Sequence, residues 1–177
     1  MFSFTFLPVG VSELCSLLLL NIFLLKSHIF PTWTVFRFFC FVFVCALGSA
    51  CVAFTPVLSV LFEEDEDDTF AVVFVSSDDT AEQCQKYYQK KHADWFLVPF
   101  QDKDQRQDLK KKYGVFAGKE QVLFPGTTRK SGIPTLVVVD RKGTCLHLLD
   151  CDNPKVHDEI AMKGASFLDQ WKDCKWE

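Results

Sequence analysis

No two of the eight cysteines, at positions 15, 40, 45, 51, 84, 145, 151 and 174, are spaced Cys-x-x-Cys, and none clusters with histidine at zinc-finger spacing. The four histidines, at 28, 92, 147 and 157, are scattered. A structural metal site needs such ligands gathered at short spacings, so no metal scaffold is written in the chain. Charge is nearly missing from residues 1 to 61, which carry only Glu13, Lys26 and Arg37, whereas residues 62 to 177 carry 17 basic and 22 acidic side chains. The two signs are interleaved there, and the net charge is −4. Without a basic stripe to track phosphates, nucleic acid is a poor fit as a partner. Disulfide-stapled secreted scaffolds are short and poor in apolar strands, while this chain is 49% hydrophobic. Its 177 residues suffice for one domain with a real core plus an extension.

Residues 1 to 37 form a hydrophobic N-terminal extension, ahead of a domain expected at 38 to 177. The run from Leu14 to Leu25 is apolar except for Ser16 and Asn21. Three readings compete for it. A signal peptide needs a positively charged start, but the first basic residue is Lys26. A membrane anchor needs ~20 apolar residues and would have to reach back past Glu13. The third reading is that an incorrect gene start makes these residues part of no folded element. A second run, Phe38 to Phe54, is uncharged and approaches spanning length. Its aromatic and β-branched beginning and the break at Gly48-Ser49 favour a buried strand turning into a helix.

From Cys51 onward, Phe54, Leu58, Leu61 and Phe62 recur at helical spacing, with Pro56 early in the helix, before the acidic run that starts at Glu63. Thr69 to Val75 reads as a second buried strand, and Ser76 to Thr80 supplies N-cap residues for a following helix. A short apolar piece (residues 95 to 100), a charged helix (Asp104 to Tyr113), a Gly-containing excursion (Gly114 to Gly132), a strand (Thr135 to Asp140) and a hairpin into Thr144 to Leu149 complete the pattern. Buried runs alternating with amphipathic helices predict an α/β sheet with parallel strands at its centre and an antiparallel edge. In the tail, Val156, Ile160, Phe167, Leu168 and Trp171 predict one broken or two short helices, with the break at Gly164.

Four local signatures in this order resemble the nucleoredoxin and tryparedoxin branch of the thioredoxin-like family. They are Cys51-Val52-Ala53-Phe54-Thr55-Pro56; Val72 to Asp78; Asp94-Trp95 with Pro99-Phe100; and Gly132-Ile133-Pro134-Thr135-Leu136. The tail from Gly164 to Trp171 is similar to the nucleoredoxin-like subgroup. The resemblance implies a thioredoxin-like fold, a central mixed sheet with flanking helices, and the chemistry of a protein-disulfide reductase. It also implies a cis-proline at Ile133-Pro134, where a substrate peptide would lie. Aligned through Phe-Thr-Pro, Cys51 takes the position of the second, resolving cysteine, Gly48 stands where the attacking cysteine belongs, and Leu47 replaces a tryptophan.

Family chemistry needs one thiol to attack a substrate disulfide and a second to resolve the mixed disulfide. Three readings of Cys51 stay open: an inert buried thiol, a monothiol site open to mixed disulfides, and a partner for Cys45, unless strand alternation aims Cys45 elsewhere. Two functions follow, thiol–disulfide exchange or a redox-inactive binding module. The implied partners are protein thiols and disulfides with a thioredoxin- or glutathione-type reductant, and no bound cofactor. The implied location is cytoplasmic, with the nucleus as an extension; the alternative is a membrane-associated or secretory protein through residues 1 to 54. Phe116 to Lys130 is longer than the connection expected before Gly132, either an insertion beside the site or a surface excursion.

Overall fold

The computed structural model describes residues 38–65, 70–140 and 142–172. The readings of residues 1 to 37, and Cys15 and Cys174, lie outside them. Five strands form one sheet in the order β3-β2-β1-β4-β5: β1 (Phe38–Val44), β2 (Phe70–Ser76), β3 (Phe96–Leu97), β4 (Thr135–Val139) and β5 (Cys145–Asp150). Helices α1 (Ser49–Glu63), α2 (Ala81–Lys91), α3 (Lys103–Tyr113), α4 (Pro154–Lys163) and α5 (Asp169–Lys172) accompany it. The expected mixed α/β sheet is present. Its parallel part is β1, β2 and β3. Antiparallel pairing begins one strand earlier than expected, because β4 already runs against β1 before β5 completes the hairpin.

Period-two alternation builds a core on each face. Phe38, Cys40, Val42 and Val44 of β1 join Phe70, Val72 and Phe74 of β2 under α1, α2 and the C-terminal segment. Phe39, Phe41 and Phe43 join Ala71, Val73 and Val75 under Leu109 and Tyr113 of α3. Burial on both faces is why β1 reads as a continuous apolar run. The stretch Phe38 to Phe54 is therefore strand, turn and the start of α1, and no described helix is long and apolar enough to cross a membrane.

Helix α1 starts two residues before Cys51 and carries Pro56 in its interior. Lacking an N–H, Pro56 leaves a gap in the ladder. Close to it, the hydroxyls of Thr55 and Tyr87 stand 2.6 Å apart, each 2.9 Å from the Cys51 carbonyl oxygen. In the tail, α4 stops at Gly164, whose φ of +51° disfavours a side chain and where a β-carbon would meet Glu64 Oε2 at 2.8 Å. Phe167, Leu168 and Trp171 beyond it are buried on the sheet.

The excursion after α3 is anchored. A 3-10 helix at Gly118–Leu123 presents Glu120, whose carboxylate takes Lys110 Nζ at 2.5 Å, the Ala117 N–H at 2.9 Å and Ser77 Oγ at 2.9 Å. Lys110 is only 1% exposed, so this pair neutralises a charge that burial would otherwise penalise. The rings of Phe116 and Phe124 meet at a 37° tilt with centroids 4.6 Å apart.

His92, just after α2, sits among the rings of Phe74 (4.4 Å), Trp95 (4.6 Å), Tyr87 (4.9 Å) and Tyr88 (5.5 Å). Burial lowers its pKa from 6.5 to about 3. As pH falls below 6.5, the unfolded chain takes up a proton that the native imidazole refuses. Native stability on this account is intact above pH 6.5 and declines between 6.5 and about 3. We expect His92→Phe to lose less of its urea midpoint than the parent between about pH 7 and about pH 4.5; equal losses would show that His92 is not a source of acid sensitivity.

Candidate functional site

Where β1 ends, the chain must leave the sheet and enter α1 within four residues. Ser77 N–H closes the last rung on the Val44 carbonyl at 3.0 Å. The Ala46 N–H then donates to Asp78 Oδ1 at 2.6 Å, while Ser76 Oγ donates to Asp78 Oδ2 at 2.8 Å. This carboxylate, 8% exposed, holds the turn Ala46-Leu47 across the end of β2. Alternation along β1 would put Cys45 with Phe39, Phe41 and Phe43. The turn instead carries it to the α1 face, where it packs with Val44, Cys51 and Phe54.

Gly48 is the N-cap of α1 with no side chain to cap it, and Cys51 lies in the first turn. A β-carbon on Gly48 would stand 3.1 Å from Cys51 Sγ and 3.2 Å from Cys45 Sγ. The space that a side chain at 48 would occupy is thus bordered by two sulfurs. Each thiol acts on the other's ionisation. The neighbouring Cys51 thiol chiefly, with the Gly48 and Leu47 N–H groups, draws Cys45 well below the ordinary thiol range against the opposing effect of burial. The first N–H groups of a helix lack intrahelical partners and favour negative charge, so a thiolate at Cys45 is well placed. Cys51 is pushed up, first by the neighbouring Cys45 thiol and then by burial. Burial raises Cys40, Cys84, Cys145 and Cys151, the opposite direction to Cys45.

Ile133-Pro134 arrives at the same end of the sheet, since β4 pairs Thr135 with Phe43 of β1. The peptide bond is cis, as the resemblance implies, with Pro134 buried and Ile133 half-buried. Leu47 beside the turn is 72% exposed. On the far side, Lys119 of the 3-10 helix pairs with Asp79 at 2.6 Å and lies within electrostatic reach of Cys45.

The thioredoxin-like family model matches residues 39–145. The chain belongs to the thioredoxin-like family. It is similar to nucleoredoxin-like protein 1 of Xenopus laevis, 24% identical over 133 residues, which are 71% of this chain and 52% of the frog protein. It thus spans about half the length of that relative. Thioredoxin from Wuchereria bancrofti is 28% identical with a TM-score of 0.55, over 78% of this chain and 81% of that one. Tryparedoxin II from C. fasciculata is 22% identical with a TM-score of 0.56, over 76% of this chain and 79% of that one. The tryparedoxin likeness shows the shared fold, and the frog relative agrees with the nucleoredoxin-like resemblance read from the sequence.

Against that thioredoxin-like background, the structure brings together Gly48, Cys51 and the Ile133-Pro134 end of β4, the residues singled out from sequence. It places Cys45, one of the readings left open for Cys51, at the same gap and adds Asp78 as the anchor of the turn. Asp78 could have been suspected from the Ser-Ser-Asp-Asp run, but only as a helix cap. We expect Cys45 to react with iodoacetamide with a midpoint below the ~8.5 of a free thiol, read by peptide mapping across pH. Cys51→Ala should move that midpoint upward by removing the neighbouring thiol that lowers it most. An unshifted midpoint in the variant would rule out Cys51 as the cause.

Proposed function

We propose that this chain carries out thiol–disulfide exchange on protein disulfides at the N-terminus of α1. The observation that carries the reading is the juxtaposition of two sulfurs, Cys45 and Cys51, across a side-chain-free Gly48. One sulfur is favoured as thiolate and the other keeps a proton, the unequal pair that exchange and resolution require. Half-buried Ile133 and exposed Leu47 flank it and offer backbone and apolar surface to an extended substrate segment. The reductant that fits is a dithiol of the thioredoxin type or a thiol of the glutathione type, with no bound cofactor. The cytoplasm, with the nucleus as an extension, is the compartment we propose.

A second reading has one specific observation behind it. Cys51 is only 1% exposed, as a redox-inactive binding module built on the same groove would also have it. Turnover separates the two. With insulin as the disulfide substrate and dithiothreitol as electron source, we expect the full chain to accelerate reduction and Cys51→Ser to fall to the rate without protein. A parent chain that never exceeds that rate would leave the binding module as the better reading.

A further inference from the structure

We propose that Cys45 is the attacking thiol of this site, standing in for the sulfur that Gly48 lacks, and that it closes a disulfide with Cys51 during turnover. The proposal rests on the exchange reading above and names the residue that performs its first step. Position comes first. The Cys45 sulfur borders the volume where a side chain at 48 would project, since a β-carbon there would come within 3.2 Å of it. A cysteine attached at 48 and a cysteine reaching in from 45 are two routes to much the same place above the first turn of α1. The nearer route is empty of side chain and the other is occupied.

Access is the second point. Both residues are buried, and Cys45 at 9% exposure is less enclosed than Cys51 at 1%. Anchoring is the third. The turn between them is held by the Ala46 N–H on Asp78 and by the Val52 N–H on the Gly48 carbonyl at 2.9 Å, which keeps both sulfurs facing the same gap.

In the forward direction, the Cys45 thiolate attacks one sulfur of a substrate disulfide. The substrate S–S bond breaks, a Cys45–substrate mixed disulfide forms, and the departing substrate thiolate takes a proton from solvent. Cys51, losing its proton, then attacks the Cys45 sulfur and releases the second substrate thiolate, which collects that proton. The substrate has gained two electrons and two protons, and the chain holds a Cys45–Cys51 disulfide. An external dithiol, or two monothiols of the glutathione class, returns it to the dithiol state with the same two electrons.

The test uses the full chain and two readouts. The first is insulin reduction by the parent, Cys45→Ala, Cys51→Ala and Cys45→Ala with Gly48→Cys. We expect Cys45→Ala to drop to the rate without protein and the added Gly48→Cys to recover turnover, which a merely misfolded Cys45→Ala could not do. Retained turnover in Cys45→Ala beside its loss in Cys51→Ala would overturn the role of Cys45 and leave the exchange reading standing. The second readout needs no variant: the parent is exposed to oxidised glutathione, and differential alkylation identifies which cysteines left the thiol pool. Paired loss of Cys45 and Cys51 supports the proposal. If this pairing occurs in a chain that does not reduce insulin, exchange on protein disulfides fails while the Cys45–Cys51 couple stands. If both thiols remain alkylatable, the proposal is overturned.

Discussion

Everything at this site depends on the hydrogen bond from the Ala46 N–H to the buried Asp78 carboxylate, 2.6 Å long. A hydrogen bond to an ionised acceptor is shorter and about twice as strong as a neutral one, and this one acts where β1 would otherwise continue its alternation. It stops the strand at Val44 and turns the chain over the end of β2. That turn sends Cys45 to the α1 face rather than the α3 face. Asp78 is itself held by Ser76 Oγ, so the end of the second strand positions the end of the first. The parallel pairing of β1 with β2 along Phe38–Val44 makes that possible.

Much of the scaffold was legible in the sequence, for identifiable reasons. Strands β1 and β2 are buried on both faces, so their apolar runs are continuous, and Gly48-Ser49 marks the exit into α1. Gly164 breaks the tail because its backbone has φ +51°, and the apolar residues on either side of it pack as their spacing predicts. The redox neighbourhood was legible through Phe54-Thr55-Pro56, which fixes Cys51 and exposes the glycine at 48, and through Ile133-Pro134. Cys45 was harder. Strand periodicity assigns it to the wrong face, and only a tertiary contact 32 residues away in sequence, Ala46 to Asp78, overrides that assignment. The anchoring of the long connection was equally hidden, because Lys110 and Glu120 lie on different elements with no periodic relation. β3, at two residues, carries too short a pattern for its bounds to be read.

Gly48 changes meaning once the structure is in view. In the sequence it is a vacancy in a two-cysteine motif, and by itself it separates fold from activity. In the folded chain its missing β-carbon is what allows Cys45 and Cys51 to share one gap at a helix N-terminus. The lost sulfur and the gained one are linked by sterics, since a side chain at 48 would crowd both thiols. The thioredoxin-like frame supplies the helix start and the Ile133-Pro134 strand end. In this chain the second sulfur reaches the helix start from the end of β1.

The central claim is that Cys45 and Cys51 form one redox couple, and the 13Cβ chemical shifts of the two residues report it most directly. On oxidation of the full chain, both shifts should move together from the thiol range to the disulfide range and return together on reduction. A Cys51 shift that stays in the thiol range while Cys45 oxidises, or the reverse, would contradict the account.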